Sequence, residues 1–236
     1  ALITPEEKAS LAESVPAAGQ PDAHRVPWAA LRANRSLRWI LVMYFACCWT
    51  AFFYLSWLHT FLEKGRGFSR SDLLALSWLP FVLGATACFC GGRVGDWLVR
   101  KRGLKWGRRL VGVAGLGASA CFVGAALGTQ DKAWTIIFLA LGYAGADFML
   151  PVAWAACLDI GGRHAGAVTG AMNMAGQAGA FATSVAFGYI VAATGRWDAP
   201  LWPMMIVTAL GALAWLRIDP TETLEKTAGD LCNESH

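Results

Sequence analysis

The residue that most needs a chemical explanation in this sequence is Asp147, a carboxyl group in the middle of a long apolar run. Pro151 follows four residues later and Trp154 seven residues later, so on a helix all three share one face. The proline ring disrupts the hydrogen bond to the carbonyl of Asp147. This face therefore offers a carboxyl group, a freed carbonyl oxygen, a kink and an indole N–H. Such a set binds ions or polar solutes, or it joins neighbouring helices by hydrogen bonds.

Two further helix faces carry polar groups in apolar surroundings. Thr169, Asn173 and Gln177 repeat every four residues, which places them in one stripe. The stripe either lines a cavity that hydrogen-bonds hydroxyl or carboxylate groups, or it joins helices at about 1 kcal/mol per bond. Tyr54 is the best candidate on a third, mostly aromatic face, for which core packing is the alternative.

Other kinds of chemistry find little support in the sequence. The seven Cys residues show no CxxC pair and no Cys/His spacing typical of zinc, so we expect no metal site and no cofactor. A membrane enzyme built from Asp147, Asp159 and His164 is a weak alternative. On one helix Asp147 and Asp159 would lie about 18 Å apart, too far for a shared site. We therefore expect no catalytic residues and a protein that is not an enzyme.

The composition identifies the elements that must position these residues. Apolar residues make up 56% of the 236 residues, charged residues only 15%, and the chain contains 12 Trp. A soluble core of this size cannot hide so much apolar surface. We predict an all-α integral membrane protein, because a helix crosses the bilayer with about 20 apolar residues. The predicted spans are 39–62, 73–96, 109–130, 133–158, 165–193 and 199–217.

The positive charges predict the orientation of this bundle. Most of the 20 Lys and Arg residues fall in the segments before the first span, between spans two and three, and after the last span. The positive-inside rule then places both ends of the chain in the cytoplasm. We expect the bundle to lie in the cell's inner or plasma membrane. The net charge of +4 follows from this bias, so we expect no nucleic-acid partner.

The chain divides into three parts. We predict that residues 1–36, which are rich in Pro, form a cytoplasmic linker. Residues 37–218 are predicted to form a six-span bundle, and residues 219–236 a cytoplasmic tail with frayed structure. The chain starts at Ala1, without Met, inside the predicted linker. We therefore expect further protein upstream of it.

A glycine-rich basic loop is predicted between spans two and three. Gly92 and Gly95 would let two helices approach closely, and Asp96 would pair with a helix end or with an Arg of a neighbour. Arg100, Lys101 and Arg102 would hold the loop in the cytoplasm. A basic loop with no role beyond topology is the alternative.

This loop resembles the cytoplasmic motif of the major facilitator superfamily. Gly92, Asp96, Lys101 and Arg102 fit its spacing, whereas Trp97 stands where a basic residue is usual. The resemblance implies that the loop governs conformational switching. It also implies the C-terminal six-helix half of a twelve-helix fold, with a six-span N-terminal half missing from this chain.

Within that superfamily the chain resembles the anion:cation symporters, which carry sugar acids and other organic anions. The matching stretches are residues 27–39, residues 52–69, Pro151–Trp154 with Asp159, and residues 166–177. The resemblance implies that Asn173, and with one residue of uncertainty Trp154, contact the substrate.

The expected function is secondary active transport of an organic anion across the membrane by alternating access. The resemblance implies symport with H⁺ or Na⁺. The substrate-binding residues would be Tyr54, Asp147, Trp154, Asn173 and Gln177. The expected partners are the small anion, the lipid bilayer and the missing half. A channel, a scaffold protein or a non-functional half remain open alternatives.

Overall fold

The structure, a computed structural model, describes residues 26–234, and every regular element in that range is helical. The predicted all-helical class is thus confirmed. Most of the predicted linker 1–36 and the last two residues lie outside the described residues. The helices are α1 Trp28–Ala33, α2 Arg35–Ser56, α3 Leu58–Thr60, α4 Arg70–Leu76, α5 Leu79–Leu127, α6 Lys132–Gly161, α7 Ala165–Thr194, α8 Leu201–Ala214 and α9 Leu224–Glu234. A π-helical turn, Phe61–Gly65, extends α3, and short 3-10 turns occupy Gly162–His164 and Trp215–Arg217.

Helix α5 consists of two arms that meet at Gly103. Gly103 has φ 76° and ψ 167°, the one non-helical conformation in Leu79–Leu127. A residue with a side chain rarely adopts this φ, so glycine is required there. The loop predicted around residues 91–103 is therefore wrong in its extent, because the helix continues to the residue before Gly103. Its last residues are good helix formers, which favours this continuation.

Three helical stretches are long and apolar enough to cross a membrane. They are Arg35–Ser56, Arg70–Leu127 and Lys132–Thr194, and a shorter apolar helix covers Leu201–Arg217. The second and third stretches run past positive-φ glycines, at Gly103 and Gly162 respectively. Length and composition therefore identify a membrane protein, but they do not confirm the division into the six predicted spans.

Helix α6 packs between the two arms of α5. A Cβ atom at Gly91 would lie 1.8 Å from the carbonyl oxygen of Phe148, so the first arm approaches the backbone of α6. On the second arm, a Cβ at Gly115 would lie 2.8 Å from the carbonyl oxygen of Gly145. Small residues at membrane helix contacts permit this close approach. The two glycines therefore allow both arms of α5 to contact the backbone of α6.

Helix α2 packs against α7 and α8. A Cβ at Gly179 of α7 would lie 2.3 Å from the carbonyl oxygen of Phe45. A buried hydrogen bond of 2.5 Å links the hydroxyl group of Thr50 in α2 to that of Thr208 in α8. Trp215, which is fully buried after α8, packs its ring on Gly112 of the second arm of α5. These contacts complete a single helical bundle.

Within the described residues, the C-terminal segment forms a helix, Leu224–Glu234, that docks on the bundle, in contrast to the predicted frayed structure. Leu224, at the start of α9, is only 1% exposed. Glu222 accepts a hydrogen bond on its backbone oxygen from Asn34 (2.9 Å) and on its carboxylate from Ser36 (2.7 Å). Leu224 and Leu231 pack on the same core cluster as α2, which explains why this mostly polar helix docks. The tail thus fastens onto the start of α2.

At the opposite end of the bundle, Arg66 ties three loops together. Its guanidinium pairs with Asp198 at 2.7 Å and donates to Gln130 at 3.1 Å and to the carbonyl of Ala126 at 3.2 Å. The Arg66 side chain is only 2% exposed. A buried cation is tolerated when partners of this kind surround it.

Candidate functional site

Asp147 lies half-buried on α6, directly opposite Gly84 in the first arm of α5. A Cβ atom at Gly84 would lie 2.5 Å from Oδ2 of Asp147. Among residues 26–234, no donor hydrogen-bonds this carboxyl group and no cation pairs with it. The hydrogen-bonded alternative, in which Asp147 joins two helices, therefore has no support within this range.

Aromatic rings border the Asp147 carboxyl group. Tyr143 lies one turn earlier on α6 and also contacts the position of Gly84. Its ring meets Tyr54 edge-on at 4.8 Å and Phe81 at 5.3 Å. Tyr143 was not predicted as a site residue, although its spacing of four from Asp147 places it on the same face.

Tyr54 lies behind Tyr143 rather than at the surface of the site. It is 3% exposed, and its hydroxyl donates to the carbonyl oxygen of Leu139 at 2.8 Å. Its contact with a substrate stays a prediction. The structure gives Tyr54 the position of a residue that supports the Tyr143 ring.

The other two residues of the predicted α6 face have different surroundings: Pro151 lies against the first arm of α5, and Trp154 is partly exposed. The helix is continuous through Pro151, which lies opposite Gly92, at 3.6 Å from the position of a Cβ there. Gly92 is therefore an ordinary contact, whereas its neighbour Gly91 makes the close approach. Trp154 is 38% exposed and lies beside Tyr44 of α2.

The polar stripe on α7 is at least partly accessible. Asn173 is half-buried and Gln177 is exposed. Within the described range their amides have no hydrogen-bond partner. Thr169, in contrast, donates its hydroxyl to the carbonyls of Ala165 and Gly166 in its own helix. Asn173 and Gln177 are thus free to bind a polar solute, whereas the donor of Thr169 is already engaged.

A charge network stands at the Gly103 end of α5. Arg108 is 8% exposed, and its Nε donates to Oδ2 of Asp159 at 3.0 Å. Nη1 of the same guanidinium lies 3.7 Å from Oδ1 of Asp96. A Cβ at Gly95 would lie 2.7 Å from Val152, so the two helices that carry these acids are in close contact. The network links both arms of α5 to α6.

Sequence reasoning did not single out Arg108 as a partner of Asp159. The two residues are separated by 51 positions. No local spacing rule connects residues so far apart, so only the packing of the helices reveals the pair. The predicted pairing of Asp96 with an Arg of a neighbouring segment agrees with the observed geometry.

The remaining residues of the predicted switch motif are exposed. Arg100 lines a hollow of about 420 Å³ together with Arg93, Asp96 and Trp97. The ammonium of Lys101 lies 4.4 Å from the centre of the Trp97 ring, within the range of a cation–π interaction. Trp97, which departs from the family motif, thus contacts one of its basic residues.

Lys105, just beyond Gly103, anchors the C-terminal segment. Its ammonium pairs with Oδ2 of Asp219 at 2.5 Å, and Arg109 donates to the carbonyl of Ile218 at 2.7 Å. Partial burial acts to raise the pKa of Asp219. Hydrogen bonds from Lys105 and from Thr221 outweigh that effect and hold the pKa below its ordinary value.

In the part of the chain that the structure describes, no group of three or more His, Cys, Asp or Glu side chains is placed to hold a metal ion.

The chain matches the family model of the Major Facilitator Superfamily over residues 2–184. It is 30% identical over 200 residues to the probable sulfoacetate transporter of Cupriavidus necator, covering 84% of this chain and 46% of that protein. It is 27% identical over 174 residues to the probable galactarate/D-glucarate transporter of Bacillus subtilis, covering 72% and 38%. The hexuronate transporter of Bacillus subtilis is 25% identical over 198 residues, covering 82% and 47%.

These matches confirm the resemblance predicted from the sequence, and the relatives are named as transporters rather than enzymes. The chain spans less than half the length of these three relatives.

Proposed function

Because this chain belongs to the major facilitator superfamily, we propose that the protein it forms is a secondary active transporter of an organic anion. A sugar acid or a similar carboxylate or sulfonate is the proposed substrate class. The main support is that its relatives are named for the transport of sulfoacetate, galactarate or D-glucarate, and hexuronate. Alternating access is the proposed mechanism.

In this proposal the chain supplies the C-terminal six-helix half of a twelve-helix transporter. The six spans would be α2, the two arms of α5, α6, α7, and α8 with its 3-10 extension. The breaks at Gly103 and Gly162 support this division, because each interrupts a helical stretch, of 58 and 63 residues respectively, that is long enough for two spans of about 20 residues. Both ends of the chain would lie in the cytoplasm of the cell's inner or plasma membrane, on the side where Lys and Arg are concentrated.

The substrate would bind between this half and the half that it lacks. Trp154, Asn173 and Gln177 support this placement, because each is at least partly accessible in the isolated half. Tyr54 would act from behind Tyr143. Within the predicted spans, Lys and Arg occur only at span ends, as Arg93, Arg109 and Arg217, and the interior of each span has none. The positive group that binds an anion would therefore come from the other half.

Asp147 is the proposed site of coupling to H⁺ or Na⁺. Its carboxyl group is half-buried, has no partner among the described residues and fits directly against Gly84, which has no side chain to displace it. A carboxyl group within a membrane helix costs at least about 2.5 kcal/mol on insertion scales, so an unpaired one is expected to serve a function. Binding H⁺ or Na⁺ there would neutralise it.

Uptake by the complete protein, reconstituted in vesicles, tests the function. A panel of sugar acids, short carboxylates and sulfonates should show saturable uptake of at least one anion that depends on a pH or Na⁺ gradient. Passive flux that never exceeds the equilibrium level would indicate a channel and overturn the proposal.

The role of Asp147 needs its own variant. Asp147→Asn should abolish gradient-driven accumulation while exchange of labelled for unlabelled substrate persists. Asp230→Asn, at an exposed carboxyl group of α9, is the matched control and should leave both unchanged. Unaltered accumulation by Asp147→Asn at every pH and Na⁺ concentration would refute the coupling role.

A further inference from the structure

An apolar groove runs along the bundle at the end where α1, α2 and α7 begin. Its volume is about 670 Å³. The walls are almost entirely apolar, with Leu31 of α1, Leu41 of α2 and Ala171 and Met174 of α7 among them. Met174 is 76% exposed, so the groove is open along its side. An apolar trough of this kind is suited to a hydrocarbon chain.

The mouth of the groove is positively charged. Arg32 and Arg38 line it, and Arg38 also borders a second hollow of about 290 Å³ together with Arg35 and Trp39. All three arginines are exposed, and none has a carboxylate within ion-pair distance among residues 26–234. Arg217 adds a fourth guanidinium, 5.7 Å from the centre of the Trp39 ring. The exposed, unpaired guanidinium groups at the mouth are therefore suited to binding an anion.

The charged mouth and the apolar trough match the polar headgroup layer and the hydrocarbon layer of a bilayer. Arg38 directly precedes the apolar, charge-free part of α2, which starts at Trp39. Trp28, 66% exposed, and Trp39 stand where tryptophans gather at a membrane–water interface. From Ala167 to Met174 the wall of α7 rises about 10 Å away from this level. The charged mouth therefore lies at headgroup depth and the trough extends into the hydrocarbon region.

We propose that this groove is a binding site for an anionic phospholipid, with the phosphate at Arg32 and Arg38 and one acyl chain in the trough. Guanidinium groups bind phosphate in two-pronged geometry, and each adds about 1 kcal/mol near an anionic surface. A soluble phosphate would use only the mouth, whereas a neutral lipid would use only the trough. A lipid with an anionic headgroup uses both. The site rests on the orientation proposed above, which puts it in the cytoplasmic leaflet.

Two sets of variants separate the mouth from the trough. Arg32→Gln and Arg38→Gln remove the charges, and Arg70→Gln with Arg196→Gln remove two exposed arginines at the opposite end of the bundle as a control. Gly170→Leu fills the trough, because Gly170 lines it and has open space around it. Gly166→Leu, one turn earlier, also has nothing within 4 Å and does not line the groove, so it is the matched control.

The test measures lipid retained by the complete purified protein, using native mass spectrometry. The probes are dioleoyl phosphatidylglycerol, dioleoyl phosphatidylcholine and glycerol 1-phosphate. The wild type should retain phosphatidylglycerol in preference to phosphatidylcholine and should not bind glycerol 1-phosphate at equal concentration. Each Arg→Gln change should weaken retention about fivefold, and both together about 25-fold. Gly170→Leu should also weaken retention, whereas both controls should behave as the wild type.

Several results would overturn the proposal. Equal retention of the two lipids by the wild type would mean that another part of the protein covers the groove or that the arginines do not select the headgroup. Competition by glycerol 1-phosphate as strong as that by the lipid would indicate a site for soluble anions. Equal losses in Gly166→Leu and Gly170→Leu would place the lipid outside the trough. Because the readout is lipid retention, these outcomes are independent of whether the protein transports an organic anion.

Discussion

Arg108 and Asp159 form a 3.0 Å charged hydrogen bond that joins the second arm of α5 to the last part of α6. Asp96, from the first arm, reaches the same guanidinium at 3.7 Å. One arginine therefore connects three helical segments at the end of the bundle where the predicted switch motif lies. A change in the spacing of the two arms would have to lengthen at least one of these contacts.

The two carboxylates should contribute unequally. Asp159→Asn should lower the free energy of unfolding by about 1–3 kcal/mol, because it leaves a nearly buried guanidinium without its main charged partner. Asp96→Asn should cost no more than about 1 kcal/mol, since the Asp96 side chain is 66% exposed and its contact is longer. Unfolding of both variants by SDS in mixed micelles measures the difference. Equal losses of unfolding free energy in the two variants would contradict the conclusion that Asp159 is the main partner of Arg108.

The glycines of α5 should differ in their tolerance of a methyl group. Gly91→Ala places a Cβ 1.8 Å from a backbone oxygen of α6, which neither helix can avoid without moving apart. We expect a loss of stability of about 1–3 kcal/mol or more. Gly84→Ala meets the Asp147 and Tyr143 side chains, which can rotate away, so its loss should be smaller. The melting temperature of the purified variants measures this order.

Gly117 supplies the control for this series. It lies in the same helix and has nothing within 4 Å of the position of a Cβ. Gly117→Ala should be neutral or raise the melting temperature slightly, because alanine favours a helix by up to about 1 kcal/mol over glycine. A uniform loss in all three variants would show that helix contacts do not decide the outcome.

Arg66 should not be replaceable by lysine. The guanidinium contacts Asp198, Gln130 and the Ala126 carbonyl from a buried position. A lysine ammonium cannot reproduce this fork, so Arg66→Lys should cost about 1–3 kcal/mol of stability. Arg70→Lys, at an exposed neighbouring position, should cost almost nothing. Equal melting temperatures for Arg66→Lys and the wild type would refute the role of the fork.

The ion pair between Lys105 and Asp219 should make stability depend on pH in acid. The folded protein holds the pKa of Asp219 below its ordinary value of 3.8, so folding favours the ionised form. This contribution is fully present above about pH 4 and is lost as the pH falls through the lower folded pKa. Asp219→Asn should therefore be less stable than the wild type at pH 6, and the difference should shrink towards pH 3.

Unfolding titrations of both proteins at several pH values between 3 and 6 measure this trend. A difference that stays constant over that range would mean that the carboxyl group of Asp219 acts through packing and not through its charge.

Much of the fold follows from local sequence. The apolar runs predict helices, the small-residue patterns predict close packing, and the spacing of Asp147, Pro151 and Trp154 places them on one face. The differences from the predictions are also informative. The loop around Gly103 is short, because the basic residues before it form helix readily, and the tail docks as a helix, because Leu224 finds a core that its own segment does not contain.

The sequence by itself determined the helical membrane class, the family and the polar faces of individual helices, since the 3.6-residue period of a helix fixes which side chains share a face. Tertiary structure alone decided what covers each face. It placed Tyr54 behind Tyr143, left Asp147 without a partner in the described range, and brought Arg108 to Asp159 and Asp219 to Lys105. The partners of each pair lie on different segments far apart in the chain, so only the three-dimensional packing selects one partner among many.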